Sequence, residues 1–312
     1  MVLREMPDLA DSRFRSWFYQ HWGHENCIIA ANTRRAEFPD FRQTLSIKVA
    51  WGGQEGYYID GSRVVVDDDT FVIFNEGRTY GSRLISTTPV TSFSIFFRPG
   101  MAQEVVRSLS LKQGVLLDNP VADSMVPLEF SERVHRHDET ITPVLKFIYR
   151  HVEDGVQDEI WYEEQLQFLL QRMFRLHQGD LRLQQQVHAT RPGTRRELFR
   201  RVGLGVNFIN AHYAQPIGLR EIAAACRLSP HHCLRVFRSV YGKTPATYLR
   251  QRRVQIAERL LRNSDSSIDA VAEMVGFQCR STLFRRIKQL RGLAPSMVRC
   301  APHVTAVESV TP

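Results

Sequence analysis

Apolar residues change their spacing along the chain, and the stretch from Phe41 to Phe97 is patterned as strands. Short runs rich in β-branched and aromatic residues alternate with turn signals such as Gly52-Gly53 and Asp60-Gly61. Because no helical period intervenes, the stretch predicts an all-β sandwich or small barrel. The predicted strands are Thr44–Trp51, Gly56–Ile59, Ser62–Val66, Thr70–Phe74, Gly81–Ile85 and Thr91–Phe97.

The stretch before Phe41 shows no sustained period and is predicted to be irregular. Its aromatic residues cluster early in the chain, where they would pack in the core or line a pocket at the end of the β region. Core packing is the favoured interpretation. The residues are Phe14, Trp17, Phe18, Tyr19 and Trp22.

Beyond Gly100 the apolar spacing becomes helical. The predicted elements are helices at Met101–Leu109, Thr142–His151 and Ile160–His177, and a loop at Val115–Glu129. Along the last helix, apolar residues recur at three- and four-residue steps from Leu166 to Leu176. This stripe either packs on the β region or forms an antiparallel interface with a second subunit. Residues 179–193 have no apolar period and predict a linker.

A tandem repeat occupies the C-terminal third. Ile222-Ala223 recurs as Val271-Ala272 and Gly242-x-x-Pro245 recurs as Gly292-x-x-Pro295, with one extra residue in the turn between them. A repeat with one slip inside a turn is typical of two helix-turn-helix units. Ala246–Arg262 is the predicted connecting helix.

In each copy the second helix has an apolar inner face and a basic outer face. The inner residues are Cys233, Val236, Phe237 and Val240 in the first copy, and Leu283 and Ile287 in the second. The outer residues are His231, Leu234, Arg235 and Arg238, and then Arg280, Ser281, Phe284, Arg285 and Lys288. An exposed basic stripe suits a helix that enters the major groove of DNA. A solvated charged helix is the alternative for one copy, but two copies in tandem argue against it.

The distribution of charge agrees with this interpretation. Residues 194–300 contain 20 Lys and Arg against 6 Asp and Glu, whereas residues 1–193 contain 21 against 26. The net charge of +8 therefore arises from the repeat. A basic excess confined to one domain is typical of a surface that binds phosphate. On the connecting helix, Arg252 and Arg253 are expected to contact phosphates, as are Arg238 and Lys288.

Residues 194–300 resemble the DNA-binding domain of AraC/XylS-type transcriptional regulators. The resemblance rests on Ile222-Ala223, Leu228-Ser229-Pro230, Phe237-Arg238, Gly242-x-x-Pro245, Ile268, Val271-Ala272, Gly276-Phe277, Gly292 and Pro295. It implies two helix-turn-helix motifs joined by a long helix. It also implies that bases are read by His231, Leu234 and Arg235 in the first motif, and by Arg280, Ser281, Phe284 and Arg285 in the second. Leu283 and Ile287 depart from the phenylalanines that are usual in this family.

The β region resembles, more weakly, the cupin-like sensor domain of the same family. The fold class is therefore predicted as a two-domain α+β chain, with a small N-terminal β-barrel and flanking helices before an all-α domain. The expected layout is an effector-binding and dimerisation domain at 1–178, a linker at 179–193, the DNA-binding domain at 194–300 and a flexible tail at 301–312. The resemblance further implies an activator, RNA polymerase as a partner, and a homodimer through helix 160–177.

A barrel of this size can hold one small ligand. The candidate lining residues are Trp51, Tyr57, Tyr58, Phe74, Tyr80 and Arg83, with Arg63 and Arg78 beside them. Residues 25–134 contain no histidine, so the His-x-His set of a catalytic cupin is missing. We therefore expect no metal site, no cofactor and no enzymatic activity.

The sequence lacks an apolar run long enough to span a membrane and begins without an apolar signal core, which predicts a cytoplasmic protein. Its five cysteines form no C-x-x-C pair and are interpreted as reduced core residues. The hypothesis is a transcription regulator controlled by a small molecule. The alternatives are a sequence-indifferent DNA binder without an effector, and a DNA-repair protein, which would need a cysteine cluster. The sequence leaves open the effector, the operator, and whether the regulator activates or represses.

Overall fold

The computed structural model describes residues 1–9, 11–110, 128–292 and 297. The chain divides into two compact units, with the boundary between Leu183 and Gln184. Most of the loop predicted at Val115–Glu129, together with Pro295, Cys300 and the predicted tail at 301–312, lies outside the described residues.

The first unit is built on one eight-stranded sheet. The order of hydrogen-bonded strands is β1-β2-β7-β3-β6-β8, and β4 pairs with both β5 and β7. This sheet is open, so the prediction of a closed small barrel is wrong. The strands are β1 (Val2–Leu3), β2 (Cys27–Arg42), β3 (Ser46–Trp51), β4 (Gln54–Ile59), β5 (Ser62–Asp67), β6 (Thr70–Phe74), β7 (Thr79–Phe96) and β8 (Val134–Arg136).

Two features of the sheet differ from the sequence prediction. Strand β2 and a helix, α1 (Ser12–His21), occupy the stretch that was predicted to be irregular. Strand β7 is continuous where two strands were predicted, because it pairs with β2 on both sides of a register shift between Thr33 and Arg35. Pro89 lies exposed in the unpaired segment of β7 at that shift, a position that suits a residue without an N–H donor.

Helices cover one face of the sheet. They are α2 (Met101–Ser110), α3 (Thr142–Glu153) and α4 (Glu159–Gln185). Side chains alternate along β3, so Ile47 and Val49 join the core under these helices, whereas Lys48 points to the opposite face. Apolar residues of α4, including Leu166 and Met173, belong to the same core. The stripe therefore packs on the sheet, which is one of the two roles that the sequence left open.

A buried polar cluster attaches the end of α4 to the sheet. Arg133, next to β8, donates to Asp180 Oδ1 at 2.7 Å, and His135 Nε2 lies 3.9 Å from Asp180 Oδ2. Burial and the nearby Arg133 lower the pKa of His135 to about 4, so the imidazole is neutral at neutral pH. Helix α4 continues to Gln185, eight residues beyond the predicted end at His177 and inside the predicted linker.

The second unit is helical. Its helices are α5 (Pro192–His212), α6 (Leu219–Ala225), α7 (Pro230–Tyr241), α8 (Pro245–Asn263), α9 (Ile268–Met274) and α10 (Arg280–Arg291). Local signals set their limits. Ser229, Thr244 and Ser267 each accept a hydrogen bond at a helix start, and both α7 and α10 end at a glycine with positive φ.

The turn in each helix pair needs one residue in the left-handed region. Arg227 supplies it between α6 and α7 with φ of 54°, and Gly276 supplies it between α9 and α10 with φ of 81°. The two residues lie 49 positions apart, which is the spacing of Ala223 and Ala272 in the repeat. The predicted repeat is therefore present in the backbone conformation.

Candidate functional site

The helix α7 presents the outer face that the sequence predicted. Cys233 and Phe237 are fully buried, and the Cys233 thiol lies 3.6 Å from the sulfur of Cys226, the residue that follows α6, so this helix packs tightly on the end of α6. His231 and Arg235 are exposed on the other side. Leu234 is half-buried beside them, and Arg238 is exposed one turn further on.

The helix α10 has the same organisation. Leu283 and Ile287 are fully buried in a core with residues of α8 and α9, so these aliphatic residues take up the positions that were predicted to be internal. Its outer face carries side chains that are all exposed: Arg280, Ser281, Phe284, Arg285 and Lys288. The side chain of Phe284 is 37% exposed, so part of its ring can contact an apolar group such as a thymine methyl.

The cations of the two outer faces are largely unpaired within the described part of the chain. Arg280 lies 3.8 Å from Asp269, at an exposed ion pair. Arg235, Arg238, Arg285 and Lys288 have no acidic partner among the described residues. Free guanidinium and ammonium groups on the second helix of a helix-turn-helix pair can donate to guanine edges or to phosphate oxygens. We call α7 and α10 the reading helices.

The two arginines of the connecting helix α8 that were predicted to contact phosphate make contacts within their own domain. Arg252 is 4% exposed, and its guanidinium lies 5.9 Å from the ring centroid of Tyr213. Arg253 donates to the backbone oxygens of Tyr213 and Gln215, both at 2.7 Å. The burial of Arg252 is incompatible with the predicted phosphate contact. Arg252 instead packs against Tyr213 at the end of α5, whereas Arg253 is half-exposed and its predicted phosphate contact stays a prediction.

In the first unit, the predicted effector-binding residues separate into two groups. Tyr57 and Tyr80 line a cavity on the face of the sheet opposite helices α2, α3 and α4. Phe74 lies behind both tyrosines as a second layer, with its ring centroid 4.4 Å from that of Tyr80. Trp51 stacks on Phe93 on the helix-covered face, so it does not line the cavity.

The other predicted effector-binding residues lie outside the cavity. Tyr58 alternates with Tyr57 along β4 and is 41% exposed. Arg83 is half-exposed on β7, 3.9 Å from Glu37. Arg78 pairs with Asp60 and Glu132, and Arg63 is absent from the lining. The cavity is therefore lined by the two tyrosines, by other apolar residues, and by polar residues that were not among the predicted ones.

Lys48 and Glu55 are the charged residues that were missed. Both line the cavity, and they are 2% and 3% exposed. Burial lowers the pKa of Lys48 to about 7 and raises the pKa of Glu55 above its ordinary value. The sequence does contain a signal for a polar face of the sheet. Polar residues occupy alternate positions of apolar strands, as in Ser46-Ile-Lys48-Val and Ser92-Phe-Ser94-Ile.

Among the described residues, no group of three or more His, Cys, Asp or Glu side chains is arranged to hold a metal ion. No described helix is both long enough and apolar enough to cross a bilayer.

Comparison with known proteins places the helical repeat. Residues 222–300 match the profile of the family described as a helix-turn-helix domain, HTH_18. The chain is 33% identical over 90 residues to the uncharacterized HTH-type transcriptional regulator YdeC of Bacillus subtilis, which is 29% of this chain and 31% of that protein. It is 39% identical over 82 residues to the HTH-type transcriptional activator RhaS of Klebsiella pneumoniae, covering 25% of this chain and 30% of that protein.

A solved structure of the DNA-binding domain of AdpA, in complex with a target DNA, is similar at 30% identity with a TM-score of 0.31. The match covers 32% of this chain and 89% of that one. The chain thus spans about a third of the length of the curated relatives it matches. The family profile covers both reading helices described above. Residues 222–300 therefore form a helix-turn-helix domain of the AraC type, and the resemblance that the sequence indicated is confirmed for this part of the chain.

Proposed function

We propose that this protein binds DNA sequence-specifically and regulates transcription in response to a small molecule held by its N-terminal unit. The observation that carries the proposal is the pair of reading helices, each with a buried apolar face and an exposed basic face. Base contacts are assigned to His231, Leu234 and Arg235 of α7, and to Arg280, Ser281, Phe284 and Arg285 of α10. Phosphate contacts are assigned to Arg238 and Lys288, the cations at the far end of each outer face.

The effector is assigned to the cavity that Tyr57 and Tyr80 line, because it contains buried polar groups in an otherwise apolar setting. Dimerisation is assigned to the outer face of α4, where Ile160 is 75% exposed and Phe168 is 39% exposed. Large exposed apolar side chains on one helix favour contact with another protein surface. An activator role, with RNA polymerase as partner, completes the proposal.

The rival function is that of a DNA binder without sequence preference. Both functions involve phosphate contacts and therefore salt-dependent affinity. They differ in the discrimination between a chosen site and random DNA, which reaches about 10³ to 10⁷ for specific regulators.

Selection from a pool of random duplexes by the full chain tests this difference. We expect enrichment of a site that binds at least about 10³-fold more tightly than scrambled duplex of equal length at the same salt concentration. A pool that stays random after repeated rounds, while binding remains salt-sensitive, would establish the rival function.

A further inference from the structure

The cavity of the N-terminal unit has a polar floor and an apolar cover. Lys48, Glu55, Tyr57 and Ser94 belong to the floor, on strands β3, β4 and β7. The cover comes from the chain start and from α1 with the residue that follows it, through Met6, Phe18 and Trp22. A ligand in this cavity would therefore meet charged and hydroxyl groups on one side and aromatic rings on the other.

The two charged groups of the floor are not paired with each other. Glu55 Oε2 accepts a hydrogen bond from Ser92 Oγ at 2.7 Å. Lys48 Nζ lies 3.3 Å from the ring centroid of Phe96, and it has no hydrogen bond or ion pair to a carboxylate within 4.0 Å among the described residues. Burial of unpaired charges costs free energy unless a partner neutralises them. Nearby, Gln43 Oε1 is buried without a hydrogen-bond donor in the described part of the chain.

With Lys48 and Glu55 both charged, the ligand that satisfies this floor brings a negative group to Lys48 and a positive group to Glu55. A simple carboxylate would pair with Lys48 but would face Glu55 without compensation. A simple amine would pair with Glu55 and face Lys48. We propose that the cavity binds a zwitterion of the amino-acid type with an apolar side chain, whose carboxylate is held by Lys48 and whose ammonium is held by Glu55. This deepens the proposed function, because it names the class of the effector.

The cover can contact the apolar side chain of the ligand, and it contains a tryptophan whose fluorescence can be followed on binding. The cavity has a volume of about 50 Å³, which suits about three water molecules and not an amino acid. A bound amino acid must therefore displace α1 and the chain start outward. Trp22, packed edge-on against Phe96 with ring centroids 4.4 Å apart, would lose that contact. The outward step changes the environment of a tryptophan and so changes its fluorescence.

The test uses the full chain and three matched sets of probes, with binding measured by calorimetry and by tryptophan fluorescence. The first set is the twenty proteinogenic amino acids. The second is the acids that lack the amino group, such as 4-methylpentanoate and 3-phenylpropanoate. The third is the amines that lack the carboxylate, such as 3-methylbutylamine and 2-phenylethylamine. We expect at least one amino acid with an apolar side chain to bind, and its acid and amine counterparts to bind at least tenfold more weakly.

Two variants assign the anchors. Lys48→Met removes the partner of the carboxylate, so this variant should bind the amino acid no more tightly than the amine. Glu55→Gln removes the partner of the ammonium group, so this variant should bind the amino acid no more tightly than the acid. A merely structural effect would weaken the binding of all three kinds of probe alike, and that outcome would overturn the assignment of Lys48 and Glu55 as anchors. Lys146→Met and Glu37→Gln remove the same charges from exposed positions and should leave affinities unchanged. Melting curves of every variant show that it is folded.

The proposal is wrong if none of the twenty amino acids binds at millimolar concentration, or if the acids bind the wild-type protein as tightly as the zwitterions do. Either result leaves the selection experiment on DNA unaffected, since that experiment needs no ligand. An amino acid that binds through both anchors yet leaves DNA affinity unchanged supports the site and contradicts the sensor role.

Discussion

Replacing Arg235 and Arg285 together with alanine is expected to lower affinity for the selected DNA site by about 30-fold to 10⁴-fold, because each good base contact contributes about 1–3 kcal/mol. The two arginines lie exposed on α7 and α10, and neither has an acidic partner among the described residues. Each single variant should also flatten base preference at one or two positions. Binding to a panel of site variants, measured by fluorescence anisotropy, gives both quantities.

Arg238→Ala and Lys288→Ala are the matched controls for this experiment. Both residues are exposed cations on the same reading helices, so the changes remove the same charge. A phosphate contact lowers affinity for all sequences alike and reduces the salt dependence by about one counterion per contact. If Arg285→Ala preserved the ranking of the site variants, the base-reading role of Arg285 would be refuted.

Gly276→Ala should destabilise the second motif by roughly 3 kcal/mol or more, because the strain of a positive φ and a steric clash of the new Cβ atom add. Gly276 has φ of 81°, and a Cβ atom there would lie 2.5 Å from the backbone oxygen of Ala214. Backbone atoms cannot move aside as a flexible side chain does. Thermal unfolding followed by circular dichroism should show a lower melting temperature for the transition of the helical unit.

Gly179→Ala provides the control for that prediction. Gly179 lies within α4, and a Cβ atom there would meet nothing within 4 Å. Alanine favours a helix over glycine by up to about 1 kcal/mol, so this variant should melt at the same temperature or higher. A Gly276→Ala protein as stable as the wild type would show that the left-handed turn between α9 and α10 is not required.

The helical unit was predictable because its signals are local. Ser229-Pro230 begins α7, Gly242 ends it, and the apolar period marks Cys233 and Phe237 as internal. Arg252 was misjudged because burial against Tyr213 depends on the packing of α8 and α5, which no local pattern reports.

The sheet was less predictable because its strands are defined by distant partners. Strand β2 contains Arg34-Arg35 and Pro39, which interrupt its alternation, and it is held by pairing with β7. The register shift between Phe38 and Phe41 accommodates the proline. Predicted strands near β3 to β6 were nearly correct, since short runs and tight turns are local signals. The charged floor was missed because alternating polar residues mark one face of a strand but do not report that this face encloses a cavity.

The central claim is that two reading helices of one chain enter two successive major grooves. The connecting helix α8 has 19 residues and is about 28 Å long, which suits motifs about one helical turn of DNA, or 34 Å, apart. Hydroxyl-radical footprinting of the full chain on the selected site should show two protected windows about 10 base pairs apart on one face of the duplex. A single protected window, unaltered when Arg285 is replaced by alanine, would contradict the claim.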